Sequence, residues 1–294
     1  MNWQATLESR GYLLSDGAWG TELAKLGLPP VMAPEQWNAD CPDAVESVAR
    51  RYVEAGADVI LTDSFGGTRW KLEKAGLADR TAELNRRAAE ISRRAAAGRA
   101  LVFASVGPTG EFMAPLGPKT EAEFIDVFAE QIGSLMDGGA DGIVVETMSA
   151  IEEAVAALKA ARRVGRFPVV VSMTYARGAR GFATVMGVTP ERAAEELDKA
   201  GADAVGSNCG NGVANMIEVT RLMRRRTARP LWVKANAGMP ALVGGRTVFP
   251  ESPEEMAGRV GDLFAAGANI IGGCCGTTPE HIRAMAQAAR KRDA

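Results

Sequence analysis

Two adjacent cysteines, Cys274 and Cys275, stand among glycines in the stretch NIIGGCCGTTPEHI, after an apolar run and before a helix start. A third, Cys209, closes the apolar run DAVGSNC. Three converging thiolates suit Zn²⁺, and three protein ligands leave a fourth position open, the mark of a catalytic zinc site. Neighbouring strand residues point to opposite faces. Cys274 and Cys275 can therefore reach one metal only where the strand has ended and the backbone bends, which Gly272, Gly273 and Gly276 permit. Three thiolates carry too much negative charge to generate hydroxide well. They suit the activation of a substrate thiol, whose free pKa is near ~8.5 and which coordination deprotonates. The fixed thiolate would then attack an electrophilic methyl group in line.

Competing readings exist for each of these residues. Buried cysteines often pack as small apolar groups, which fits Cys41 in its long loop. A Cys274–Cys275 disulfide would be strained between neighbours and at odds with a reducing compartment. GGCCGTTPEHI could also hold a phosphate on backbone N–H groups, with Thr278 as N-cap and Pro279 as first helical residue, but the cysteines would then be unexplained. His281, the only histidine, falls in that helix's first turn and receives no catalytic role. Its solitude argues against His-based triads and His-rich metal sites. Lys234 near a strand end is weak evidence for a Schiff-base enzyme. A surface or barrel-bottom lysine is the expectation.

The elements that must position these residues are legible as well. Short Val-, Ile- and Leu-rich runs without strict alternation begin at Tyr12, Asp58, Leu101, Asp141, Pro168, Asp203, Pro230 and Asn269. Strands buried on both faces of a parallel sheet look like this. Helical patterns lie between them: 42–55, 81–97, 121–137, 151–164, 190–200, 213–226, 253–266 and 279–290. Eight strands alternating with eight helices predict a single (β/α)₈ TIM barrel over residues 1–294, with the site at the C-terminal ends of the strands. A weak repeat supports this: AGADVI, GADGIV, AGADAVG and AGANIIG each end a helix and open a strand. Glycine at the helix C′ position explains each one locally.

Composition narrows the function class. The chain has 294 residues, 47% of them hydrophobic, and a formal net charge of −2. It is too apolar for a disordered chain, and its charge gives no reason to expect nucleic acid or an anionic membrane as partner. MNWQATLESRGY lacks a basic segment followed by an apolar core, so no signal peptide is expected. No apolar run approaches a membrane span. Four cysteines without a secretory signal point to a cytoplasmic, reducing setting.

These motifs together resemble the zinc-dependent homocysteine S-methyltransferases. That family includes betaine–homocysteine methyltransferase and the homocysteine-binding module of cobalamin-dependent methionine synthase, which looks nearer. LLSDGAWGTEL, DVILTDSFGGTRWKL, GPTGE, DGIVVETM, VVSMTY, VGSNCG, NAGMP and GGCCGTTPEHI follow in family order. The resemblance implies Cys209, Cys274 and Cys275 as zinc ligands, with homocysteine sulfur as the fourth. It implies Asp16 and Glu146 as holders of the substrate ammonium, and Gly17, Thr62 and Ser105 as the frame of the amino-acid pocket. It implies Asn236 as an asparagine that approaches zinc when substrate is absent. The implied reaction methylates homocysteine to methionine. The donor is open between methylcobalamin on a separate corrinoid protein and a free betaine, S-methylmethionine or S-adenosylmethionine. Another small thiol or selenol as acceptor, or a non-catalytic thiol- or zinc-binding subunit of a corrinoid system, are the alternatives. Two departures stand out. TDSF replaces the common TNTF, placing Asp63 where an amide is usual, and the loop 210–216 follows neither branch of the family.

Overall fold

The computed structural model describes residues 3–244 and 246–292. Eight parallel strands form the central sheet: β1 (Leu13–Leu14), β2 (Val59–Ile60), β3 (Leu101–Val106), β4 (Gly142–Met148), β5 (Val169–Met173), β6 (Ala204–Asn208), β7 (Leu231–Ala235) and β8 (Ile270–Gly273). Each pairs with the next in sequence, and β1 pairs with β8. Between β1 and β2 the ring closes through one parallel bridge, Ser15 with Val59, and the bonds Asp58 N–H to Leu14 O and Asp16 N–H to Val59 O. This is the barrel the sequence predicts.

The outer ring follows the predicted helices closely: α1 (Pro42–Ala55), α2 (Thr81–Ala96), α3 (Glu121–Asp137), α4 (Ile151–Val164), α5 (Pro190–Lys199) and α6 (Val213–Arg224). The seventh is broken at Arg259 into α7 (Pro253–Gly258) and α8 (Val260–Ala265), and α9 (Pro279–Arg292) is last. Pro42 opens α1, and Gly56, with φ 101°, ends it in the left-handed conformation that glycine adopts without steric penalty.

The AGAD/AGAN repeat has a structural role beyond its glycine. Asp58, Asp141, Asp203 and Asn269 each accept the N–H of the first or second residue of the preceding strand, at Leu14, Val102, Val169 and Leu231. Each is also held by an arginine: Arg10, Arg93, Arg162 and Arg224. The same clamp thus recurs at every second unit around the barrel bottom.

Inside the barrel, each strand contributes an apolar side chain: Leu13, Val59, Phe103, Val144, Val170, Ala204, Trp232 and Ile270. Phe103 stacks on Trp232, with ring centroids 6.5 Å apart. A helix the sequence pattern did not show, Trp3–Arg10, brings Trp3 against Phe103 and plugs this layer from below. Two residues further along, the inward positions turn polar: Ser105, Glu146, Ser172 and Lys234. On β6 and β8 the change comes at Asn208 and Cys274, after an intervening glycine. Strand alternation puts these residues on the same face as the apolar layer, one step nearer the C-terminal mouth. Two hairpins not foreseen from sequence, Ala176–Gly178 with Gly181–Ala183 and Ala241–Val243 with Arg246–Val248, extend from the loops after β5 and β7. Among the described residues no helix is long and apolar enough to cross a membrane.

Candidate metal centre and ligand pocket

Cys209, Cys274 and Cys275 meet at the barrel mouth, with their sulfurs within 4.8 Å of one another. Cys209 and Cys275 sulfurs are 3.7 Å apart. The backbone bends that allow this differ in part from the expectation. Gly276 has φ 80° and Cys209 itself has φ 61°, so both take the left-handed conformation. Gly272 and Gly273 instead lie within β8 and serve close packing. A Cβ on Gly273 would sit 2.2 Å from Thr277 Oγ1, and one on Gly272 2.8 Å from Asp16 O.

Thr277 locks the cysteine turn. Its hydroxyl donates to Cys274 O at 2.7 Å and accepts the Ala18 N–H at 3.1 Å. Cys274 N–H donates to Ala235 O, and Cys275 O accepts from Ala237. Asn208 reaches Cys274 from the other side. Its Nδ2 lies 3.8 Å from Cys274 Sγ and donates to Thr147 Oγ1, while its Oδ1 accepts from Thr147 N–H and Ser172 Oγ. These bonds hold Thr147 at φ 61°, a conformation that persists in a β-branched residue only where the surroundings impose it. Thr277 was not singled out from sequence, and Asn208, which stands beside Cys209 at a strand end, was given no role there. Asn208 shares the inward parity of the cysteine-bearing strand ends, which is the signal that finds it.

The three thiols share one ionisation. Hydrogen bonds from Cys274 and Cys275, opposed by burial and helped by Gly210 and Asn236, push Cys209 down to about 3. The bond to Cys209, opposed by Cys274 and helped by burial, holds Cys275 up, to about 11, while bonds to Cys209 and Cys275, with burial, raise Cys274. Three thiolates this close require a cation to ionise together. Asn236 is buried, and its Oδ1 has no hydrogen-bond partner. A soft donor set and an orphaned oxygen beside it fit a bound metal.

The cysteines form one end of a cavity of about 510 Å³, which Gly17, Thr62, Ser105 and Glu146 also line. Thr62, Ser105 and Glu146 are joined in one chain: Ser105 N–H donates to Thr62 Oγ1, and Ser105 Oγ donates to Glu146 Oε1 at 2.5 Å. Burial raises the Glu146 pKa, opposed by Lys234 and by the Ser105 bond. Gly17 is glycine because a Cβ there would lie 2.7 Å from the Tyr52 hydroxyl and 2.8 Å from Thr277 Oγ1.

Lys234 corrects the sequence reading. It lies at neither the surface nor the barrel bottom. It lines the cavity, is 2% exposed, and its Nζ lies 2.6 Å from Asp16 Oδ1. Burial works against its charge, but Asp16 and Glu146 outweigh it and raise the pKa. Asp16 also accepts from Leu61 N–H, Trp19 Nε1–H and Ser15 Oγ. The parity of β7 carries the signal, since Lys234 stands two residues after the inward Trp232. His281 has no bond into the cavity. Its Nδ1 accepts the Thr278 N–H and its Nε2 lies 3.0 Å from Glu251 O, which completes the cap of α9. Cys41 packs against the core, as expected.

The model of the homocysteine S-methyltransferase family matches residues 13–289. The chain belongs to this family. It is 34% identical over 298 residues to methionine synthase of Mycobacterium tuberculosis, covering 95% of this chain and 25% of that protein. It is 31% identical over 306 residues to rat betaine–homocysteine S-methyltransferase 1, covering 96% of this chain and 69% of the relative. Its fold superimposes on the metallated form of the homocysteine methyltransferase MmuM from Escherichia coli with a TM-score of 0.82 at 25% identity, over 97% and 98% of the two chains. The chain thus spans about a quarter of the methionine synthases it matches and most of the smaller relatives.

Proposed function

We propose that residues 1–294 act as one homocysteine-binding barrel that methylates the homocysteine thiol to give methionine. The observation that carries this reading is the meeting of Cys209, Cys274 and Cys275 at one end of a cavity at the barrel mouth in a member of the homocysteine S-methyltransferase family. The three sulfurs would hold Zn²⁺, and Asn236 Oδ1 is the oxygen nearest in role to a spare donor. Zinc bound there would supply charge that keeps a substrate thiol ionised at neutral pH.

The chain's own residues do the rest. Thr277 and Asn208 fix Cys274, so that the sulfurs are preorganised rather than gathered by the metal. Glu146, Ser105, Thr62 and the backbone at Gly17 frame the amino-acid part of the substrate. Asp16 acts on the pocket by fixing Lys234. All four cysteines are free, which suits a reducing, cytoplasmic setting.

A donor panel tests the proposal: zinc-loaded protein and homocysteine, with betaine, S-methylmethionine, S-adenosylmethionine and methylcobalamin offered in turn. Methionine formation with one of them is expected, together with loss of both metal and activity in Cys209→Ala. Full methylation by metal-free Cys209→Ala would refute it. A second reading, in which the methyl group arrives on a separate corrinoid protein, is favoured by the match to a quarter of methionine synthase. Turnover with methylcobalamin alone among the donors is its signature.

A further inference from the structure

Cys209, Asn236 and the Cys274–Cys275 pair stand on three separate loops, those after β6, β7 and β8. One tripeptide crosses all three. Phe249–Pro250–Glu251 runs from the hairpin after β7 to the start of α7 and meets each loop at a glycine. A Cβ on Gly276, in the β8 loop, would lie 2.1 Å from Phe249 Cγ. One on Gly238, in the β7 loop, would lie 2.9 Å from Pro250 Cγ, and one on Gly212, in the β6 loop, 2.4 Å from Glu251 Oε1. Hydrogen bonds fix the same contacts. Glu251 N–H donates to Ala237 O, and Glu251 Oε2 accepts the Val213 N–H at 3.3 Å. The loops beneath hold left-handed bends at Cys209 and Gly276. Such a bend persists in a residue other than glycine only where the surroundings over-determine it.

The tripeptide has one further attachment, His281, which is 6% exposed. Its Nδ1 accepts the Thr278 N–H, so the ring proton sits on Nε2, which donates to Glu251 O at 3.0 Å. A helix cap alone does not call for this residue. At α3 and α7 the same position is a glutamate, Glu123 or Glu255, whose carboxylate accepts the N-cap N–H. A glutamate at 281 could cap α9 equally well, but it would turn a second acceptor toward Glu251 O. Histidine carries an acceptor and a donor on one rigid ring. Here the donor goes to a carbonyl 30 residues earlier in the chain.

We propose that Phe249–Pro250–Glu251 is a strap that sets the geometry of the metal centre, and that His281, the chain's one histidine, is the positioning residue that pins it. The ring touches neither metal nor substrate. It acts through Glu251 on the loops that carry Cys209, Asn236 and the Cys274–Cys275 pair. This deepens the metal reading proposed above and rests on it.

Zinc affinity of the full chain, measured by competition with a chelator, tests the strap. His281→Phe keeps the bulk of the ring and loses both bonds, and its affinity falls about 10- to 100-fold, the usual cost of removing a partner behind the ligands. His281→Gln supplies an acceptor and a donor of its own and stays within about threefold of wild type. Asp203→Ala is the control for general loosening. It removes the bonds to Val169 N–H and Arg162 at the barrel bottom, lowers Tm and keeps wild-type zinc affinity. If His281→Phe does not fold, Glu251→Ala, which releases the strap from the Val213 N–H, decides in its place with a loss of about tenfold or more. Unchanged affinity in His281→Phe, or a loss as large in His281→Gln or in Asp203→Ala, overturns the inference and leaves the three-sulfur site standing. A wild type that takes up no zinc overturns both.

Discussion

Replacing Lys234 with methionine removes the cation from one of the most buried ion pairs in the barrel. Asp16 is fully buried and Lys234 is 2% exposed, with Nζ 2.6 Å from Oδ1. Breaking a buried pair by removing one partner costs roughly 3–5 kcal/mol, because the remaining charge is left uncompensated. Here the carboxylate keeps three donors, Leu61 N–H, Trp19 Nε1–H and Ser15 Oγ, so the lower end of that range applies. At about 2–4 °C per kcal/mol for a domain of this size class, a cost of about 3 kcal/mol lowers Tm by about 6–12 °C. Asp16→Asn/Lys234→Met removes both charges, so its cost falls short of the sum of the single variants by about 2–3 kcal/mol. Thermal unfolding of the four proteins by circular dichroism reads the cycle. A Lys234→Met protein within about 1 kcal/mol of wild type, or single costs that add within about 0.5 kcal/mol, would refute the account of this pair.

Three further outcomes follow from the same contacts. Thr277→Val leaves Cys274 O and Ala18 N–H without the hydroxyl; stability falls by about 2 kcal/mol and zinc affinity by about 10- to 100-fold, measured by competition with a chelator. Gly276→Ala combines φ 80° with a Cβ 2.1 Å from Phe249 Cγ, whereas Gly27→Ala has φ 102° and open space. The first therefore costs about 2–5 kcal/mol and the second about 1–2, and equal costs in denaturant unfolding contradict this packing. The folded pKa of Asp63 is raised, so across the window from its unfolded value up to its folded one the native state binds more protons. Its contribution is fully present at low pH and is lost as pH rises through the folded pKa. Asp63→Asn removes that loss, so its stability relative to wild type increases between acid and neutral pH; a parallel pH profile contradicts the burial of that carboxyl.

Much of the molecule was legible in the sequence because its signals are local. Helix boundaries follow proline at N1 and glycine at C′, as at Pro42 and Gly56, and buried parallel strands declare themselves by unbroken apolar runs. The cysteines were legible because all three stand where strands end, at the mouth of the barrel. The residues that were missed depend on direction rather than type. Lys234 reads as an ordinary charged residue until Trp232 is known to face the barrel axis. Asn208 reads only as the neighbour of Cys209 at a strand end until its amide is seen to bridge Thr147 and Cys274. Gly272 and Gly273 suggested flexibility, yet they are small because Asp16 and Thr277 fill the space beside them. The Trp3–Arg10 helix carries little amphipathic pattern, and only the open barrel bottom explains its place.

The central claim is that three sulfurs of this chain hold one metal and leave a position for the substrate's sulfur. Zinc-edge X-ray absorption of the loaded protein, with and without homocysteine, measures this directly. The account predicts stoichiometric zinc with three sulfur neighbours at about 2.3 Å, rising to four when homocysteine binds. Zinc that is substoichiometric, or that keeps the same sulfur count when homocysteine is added, would contradict it.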